Sequence, residues 1–305
     1  MLNLPKKVYF KAGCAPVALR ELTEVYHLSR ALVVTDPNLY RSGTAAPVVD
    51  RLRGQGIRVA EFFTIGNPVS TADLRGAVPK LLEFQPDVIV GVGGDNAMSA
   101  AKGLMALYED PEVDLCAAAA DPALLRPCTR AKLVLIATNF ASGAQNSPFA
   151  MLCGGEGHPC CLKSLHLLPE ISVTDADFTA TLTAEQVHTC ALRAMSHAVR
   201  AYLDPHCCEY TTGMLVECIA LILRFTKPAM DGNPAARERM HNAAALAGAS
   251  YGNIMDAITP KLPSFPTEEE VSVNDNDVRC AALAEQLGFD SCRALFAACE
   301  ALQAL

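Results

Sequence analysis

A chain of 305 residues has room for one large domain or two ordinary ones, and 51% hydrophobic against 19% charged residues makes it apolar enough to bury a sizeable core and too apolar to be disordered. Its net charge of −8 excludes nucleic acid and anionic membrane as principal partners, because phosphate binding requires clustered Lys and Arg. No window reaches the roughly 18 apolar residues of a membrane span, residues 1–7 lack the features of a signal peptide, and thirteen scattered cysteines with no Cys-x-x-Cys pair read as reduced thiols of a soluble, cytoplasmic chain.

Residues 31–35, Ala-Leu-Val-Val-Thr, form a short apolar run stopped by Asp36-Pro37, the pattern of a buried parallel strand. A helix is predicted over 45–52, ending at Gly54 and Gly56, then a strand over 58–63. Ser70-Thr71-Ala72-Asp73 opens a helix to Phe84, in which Pro79 predicts a kink or an early break. A third strand, 87–92, runs straight into Gly93-Gly94, followed by a helix over 97–108 and strands at 133–138 and 171–174. Such alternation implies a parallel sheet wrapped by helices. After Asp177 strand signals vanish. Residues 183–203, 208–225 and 235–253 read as long helices. Pro260, Pro263 and Pro266 interrupt the chain, an acidic, Asn-rich stretch over 268–277 reads as an exposed loop, and short helices at 278–287 and 292–302 close it. The expected fold is therefore an α/β domain with a Rossmann-like parallel sheet, residues 1–178, followed by an all-helical domain, residues 179–305.

In open α/β sheets, ligands bind beyond the carboxyl ends of the strands. The candidate here is Gly91-Val92-Gly93-Gly94-Asp95-Asn96. Glycines after a strand let the backbone approach a phosphate, and the next helix offers free N–H groups. The turn is not a full Gly-x-Gly-x-x-Gly, however, and Asp95 sets a carboxylate where pyrophosphate oxygens would sit. Dinucleotide binding and a plain turn capped by Asp95 or Asn96 both fit these residues. His206 beside Cys207 and Cys208 is expected to be no functional metal site.

The run from Gly91 through Ala101-Lys102 resembles the Gly-Gly-Gly-Ser-x-x-Asp-x-Ala-Lys signature of iron-type (group III) alcohol dehydrogenases. Lys7-Val8-Tyr9-Phe10-Lys11-Ala12-Gly13, Val33-Val34-Thr35-Asp36, Ser147-Pro148-Phe149-Ala150, the stretch 169–175, Ala201-Tyr202 and Ala236-Arg237-Glu238-Arg239-Met240-His241 follow that family's order and spacing. Over residues 6–262 the chain looks most like the dehydrogenase half of bifunctional aldehyde–alcohol dehydrogenases. The resemblance implies the dehydroquinate synthase-like fold, NAD(H) or NADP(H) between two domains, and Fe2+ or Zn2+ that polarises an alcohol or aldehyde oxygen. It also admits a homodimer formed through the first domain.

Carried over residue by residue, the resemblance implies cofactor contacts at Asp36, Gly93, Gly94, Asn96, Thr138, Asn139 and Ser142. Asp36 would repel a 2′-phosphate and so favours NAD. The family's cofactor lysine falls on Pro159, and Lys163, four residues on, is its substitute. The implied metal ligands are His197 and Asp256, the latter standing for a histidine. Arg193, four residues before His197 and on the same helical face, replaces a ligand aspartate, and a guanidinium cannot ligate a cation. Pro260 replaces a histidine near the substrate, and the family's Ile-Pro-His-Gly loop has no counterpart. No histidine follows His241, and about a hundred residues of the family's helical domain have no match. Two expectations follow: a dehydrogenase with an impaired or lost metal site, and a non-catalytic cofactor-binding or scaffold relative in which Arg193 fills the cation's place and pairs with Asp256.

Overall fold

The computed structural model of the chain describes residues 1–254 and 276–305. They divide into two compact units. One comprises Asn3–Thr138 with Ala144–Phe178, the other Thr179–Leu305 with Asn139–Gly143 and Met1–Leu2.

The first unit is built on a six-stranded parallel sheet: β1 (Lys7–Tyr9), β2 (Arg30–Val34), β3 (Arg58–Phe62), β4 (Val88–Gly93), β5 (Lys132–Ala137) and β8 (Ile171–Val173), in the spatial order β1-β8-β5-β4-β2-β3. Between β5 and β8 the chain forms an antiparallel hairpin, β6 (Phe149–Cys153) and β7 (Pro159–Lys163). The central strands are apolar on both faces because helices cover both. Leu32, Val34, Ile89, Leu133 and Leu135 pack with helices α4 (Thr71–Phe84), α5 (Asp95–Glu109) and α6 (Leu115–Ala120). Ala31, Val33, Val88, Val90, Val134 and Ile136 pack with α1 (Ala15–Glu24) and α3 (Ala46–Gly54). The alternation of these two sets along each strand is the period-2 rule of the pleat. A short helix, α2 (Pro37–Ser42), follows β2.

Sequence periodicity leaves α1, α2, α6 and the hairpin unassigned, since short elements carry too few turns to display a period. Pro79 does not break α4, which runs from Thr71 to Phe84. It sits on the exposed side of the helix, where water can satisfy the carbonyl that loses its N–H partner.

The second unit is helical, with α7 (Ala184–Leu203), α8 (Glu209–Met230), α9 (Pro234–Ile254), α10 (Asn276–Gln286) and α11 (Cys292–Gln303). A reciprocal capping box of Thr183 and Gln186 starts α7. Buried Arg237 on α9 donates to the carbonyls of Thr179, Ala180, Leu182 and Ala229, binding the entry of α7 to the end of α8. His188 on α7 reaches the Leu302 carbonyl at 2.7 Å, and Arg279 donates to that of Asp204, also at 2.7 Å, so α10 and α11 lie against the same helices. No helix among the described residues is long and apolar enough to cross a membrane. The expected acidic loop over 268–277 falls mostly outside the described residues.

Candidate functional site

Three neighbouring strands, β2, β4 and β5, end side by side, and their carboxyl ends bring together Thr35, Asp36, Gly93, Gly94, Asn96 and Thr138. Asp36 caps α2: its Oδ1 accepts from the backbone N–H groups of Asn38 (2.9 Å) and Leu39 (3.0 Å). Oδ2 faces the glycine turn, 3.7 Å from where a Cβ on Gly93 would stand. That Cβ would also lie 2.6 Å from the Cβ of Ala97, so only glycine lets α5 approach β4 this closely. The backbone N–H of Thr138 donates to the Gly93 carbonyl at 3.1 Å, fixing the end of β5 to the turn.

The cap of α5 differs from the one expected of Asp95 or Asn96. The N-cap is Gly94, with no side-chain cap bond, and Asp95 is the first helical residue. A helix start without a side-chain cap suits an anion, while the Asp95 carboxylate competes for the same positive helix end. The hydroxyl of Thr35 is buried at this edge and has no hydrogen-bond partner among the described residues. An orphaned hydroxyl, a free carboxylate oxygen beside a glycine turn and an uncapped helix start suit the sugar and phosphates of a dinucleotide.

The remaining candidate cofactor residues are Asn139, Ser142 and Lys163. Asn139 and Ser142 belong to the helical unit. The Asn139 side-chain oxygen accepts from the Ala141 N–H at 3.3 Å, and Ser142 is buried. Lys163 ends β7, its ammonium 5.6 Å from the centre of the Phe149 ring.

Lys102 is a residue whose role the sequence alone did not reveal. It is wholly buried on α5, and its Nζ donates to the carbonyls of Ala144 (2.8 Å), Ser147 (2.7 Å) and Phe149 (2.7 Å). Burial pushes its pKa down to about 7, opposed by the charge of Asp95. Three carbonyls, one for each N–H, match the ammonium. Lys102 thereby ties α5 to the segment that leads into the hairpin. The available signal was a lone charge inside the run Ala100-Ala101-Lys102-Gly103-Leu104.

In the helical unit, His197 is buried on α7 with its ring 5.1 Å from that of Tyr251, and half-buried Arg193 precedes it by one turn. Asp256, and with it the expected Arg193–Asp256 pair and Pro260, lies outside the described residues. Among the described residues no group of three or more His, Cys, Asp or Glu side chains is placed to hold a metal ion. A cationic guanidinium beside a single imidazole does not fit a divalent metal. His206 is held by Asp204 at 3.0 Å, and Cys207 by Thr211 and Thr212.

The chain joins an α/β unit, a parallel sheet with a glycine turn at its carboxyl edge, to a helical unit. Residues 5–176 match the family model described as iron-containing alcohol dehydrogenase, and residues 187–263 match that of the Fe-containing alcohol dehydrogenase family, C-terminal. The chain belongs to the iron-containing alcohol dehydrogenase family. It is 29% identical over 265 residues to the bifunctional aldehyde-alcohol dehydrogenase AdhE of Escherichia coli, a match covering 82% of this chain and 29% of that protein. It is 30% identical over 262 residues to aldehyde-alcohol dehydrogenase 2 of Entamoeba histolytica, covering 82% of this chain and 30% of that protein. The chain thus spans less than a third of the length of these relatives. Among solved structures, the iron-containing alcohol dehydrogenase of Thermococcus thioreducens superposes with a TM-score of 0.90 at 21% identity, covering 100% of this chain and 85% of that one. The sulfoacetaldehyde reductase of Bifidobacterium kashiwanohense, solved in complex with NAD+, gives 0.84 at 15% identity with the same coverage. At these identities the likeness is one of fold.

Proposed function

We propose that the chain is an NAD(H)-binding, iron-type alcohol dehydrogenase-like oxidoreductase of alcohols and aldehydes whose metal-dependent catalysis is impaired or lost. Bound NAD(H) would supply or accept hydride. Asp36, Gly93, Gly94, Asn96 and Thr138 at the sheet edge are the residues that would hold it, with the Asp36 carboxylate selecting against a 2′-phosphate. The observation that carries the reading is Arg193 one helical turn before His197. A fixed positive charge on that face repels a divalent cation and offers it no lone pair. Asp95 in the phosphate turn favours a second reading, a cofactor-binding or scaffold relative without chemistry, since it weakens the helix end as an anion site.

Calorimetry with NADH and NADPH, together with metal analysis after anaerobic loading with Fe2+ or Zn2+, tests this. The expected result is NADH binding stronger than NADPH binding, weakened by Asp36→Ala, with no metal retained in a His197-dependent way. Alcohol oxidation should be slow or absent, and Arg193→Asp should raise metal retention. About one metal per chain, lost in His197→Ala and accompanied by rapid turnover, would overturn the proposal. NADH binding with no turnover under any metal selects the second reading.

A further inference from the structure

Helix α6 and the hairpin set two cysteines against each other. The Asp114 carboxylate caps α6, accepting from the N–H groups of Cys116 at 2.8 Å and Ala117 at 3.1 Å, which fixes Cys116 in the first turn. Cys116 is exposed to solvent, and its sulfur lies on the bend between β6 and β7, where a Cβ on Gly154 would stand 2.5 Å from Sγ. Strand β7 packs on α6 and carries Cys160, which is buried. The Cys160 thiol donates to the carbonyl of Leu115 at 3.2 Å, immediately before Cys116, which sets the two thiols close enough to interact electrostatically. Burial, reinforced by the neighbouring thiol, pushes Cys160 up to about 12. All thirteen cysteines are free thiols in this structure.

We infer that Cys116 and Cys160 form an oxidisable dithiol that closes into a disulfide and pins α6 to the β6–β7 hairpin. One thiol meets solvent and the other is held against it from the core, which is the arrangement of an attacking and a resolving cysteine. With a peroxide as oxidant, the Cys116 sulfur attacks the O–O bond, gains one oxygen as a sulfenic acid and releases water. The Cys160 sulfur then attacks that of Cys116. The S–O bond breaks as the S–S bond forms, and the hydroxyl leaves as a second water with the Cys160 proton. Two thiols give up two electrons and two protons, and one peroxide becomes two waters. A thiol reductant reverses the bond by exchange. The device concerns the hairpin alone and stands whether or not the chain is a catalyst.

The test is peptide mapping of the full chain after graded hydrogen peroxide, with free thiols alkylated before a non-reducing digest. The expected result is a cross-linked Cys116–Cys160 peptide pair, loss of the two free forms together and in equal amount, and their return with dithiothreitol. Cys160→Ala should leave Cys116 as a sulfenic acid trapped by dimedone, and Cys116→Ser, at an exposed position, should abolish the cross-link with the fold intact by circular dichroism. The inference is overturned if Cys116 and Cys160 both stay alkylatable at doses that oxidise other cysteines. It is equally overturned if either sulfur is found bonded to a different cysteine. The wild-type measurement decides without any variant.

Discussion

Gly143 and Gly248 meet backbone against backbone. A Cβ on Gly143 would stand 1.9 Å from the Ala244 carbonyl oxygen, and one on Gly248 would stand 2.0 Å from the Gly143 oxygen. Gly143 also has a φ of +66°, which L residues rarely adopt. The contact holds the segment Asn139–Gly143 onto α9 inside the helical unit. Neither chain is a flexible side-chain tip that could swing aside, so an added methyl must displace backbone. Gly143→Ala and Gly248→Ala should each destabilise the protein by about 3 kcal/mol, at the upper end of the overpacking range. The double variant should cost less than the sum, because the second methyl enters a contact already opened. Urea unfolding of the four proteins measures this, and additive or negligible losses would contradict it.

Lys102 makes a second structural claim. Its three acceptors are carbonyls of a segment that makes little regular structure of its own, Ala144 to Phe149. Lys102→Met keeps the length of the stem and removes the donors, taking one charge-assisted hydrogen bond from each of three carbonyls. A loss of about 3 kcal/mol is expected. Lys102→Arg should not rescue it, since a planar fork cannot reproduce three tetrahedral bonds. Amide exchange over 144–153 should rise in both variants. Unchanged exchange would mean the lysine fills space only.

The sheet was legible in the sequence because its buried strands are continuous apolar runs bounded by Gly, Pro and Asp, as at 31–35 and 88–92. The long helices were legible because 20 or so residues display several turns of a period. The hairpin was not, since β6 and β7 are five residues each and rich in Cys. Of the candidate cofactor residues, those directly following strand ends were gathered by the fold at one edge. Asn139 and Ser142 were named by order along the chain, and order does not say that residues 139–143 cluster with the helical unit. The Gly143–Gly248 contact and the three-carbonyl cradle of Lys102 depend on partners distant in sequence, which no local pattern reveals.

Cys208 should be the most readily alkylated cysteine. It is exposed at the N-cap of α8, where the N–H of Tyr210 first, and then the hydroxyl and N–H of Thr211, lower its pKa. Burial acts the other way elsewhere, raising Cys14 and Cys299 to about 11 and Cys128 to about 12. A time course with iodoacetamide at neutral pH, read by peptide mass spectrometry, should show Cys208 modified first. Thr211→Val should slow that reaction severalfold by removing the hydroxyl contact. Faster labelling at a buried cysteine would contradict the assignment.

The acid limb of stability should carry the signature of His241. This ring is fully buried on α9, 6.4 Å from that of Phe140, and neither nitrogen has a well-aligned hydrogen-bond partner among the described residues. Burial pushes its pKa from 6.5 down to about 3, with the Asn139 main chain opposing. The unfolded chain protonates this histidine below its ordinary value while the folded chain does not, so between those two pH values the unfolded state binds one more proton. Stability is therefore full above pH about 6.5 and falls by about 1.4 kcal/mol per pH unit on acidification toward about 3. His241→Leu removes the titration and an unpartnered polar ring at once. It should change stability little at neutral pH, yet at pH about 5 it should leave the variant roughly 2 kcal/mol better off relative to the wild type. Urea midpoints across this range decide the matter: parallel pH profiles for the two proteins would mean that the imidazole finds a proton acceptor in the folded state.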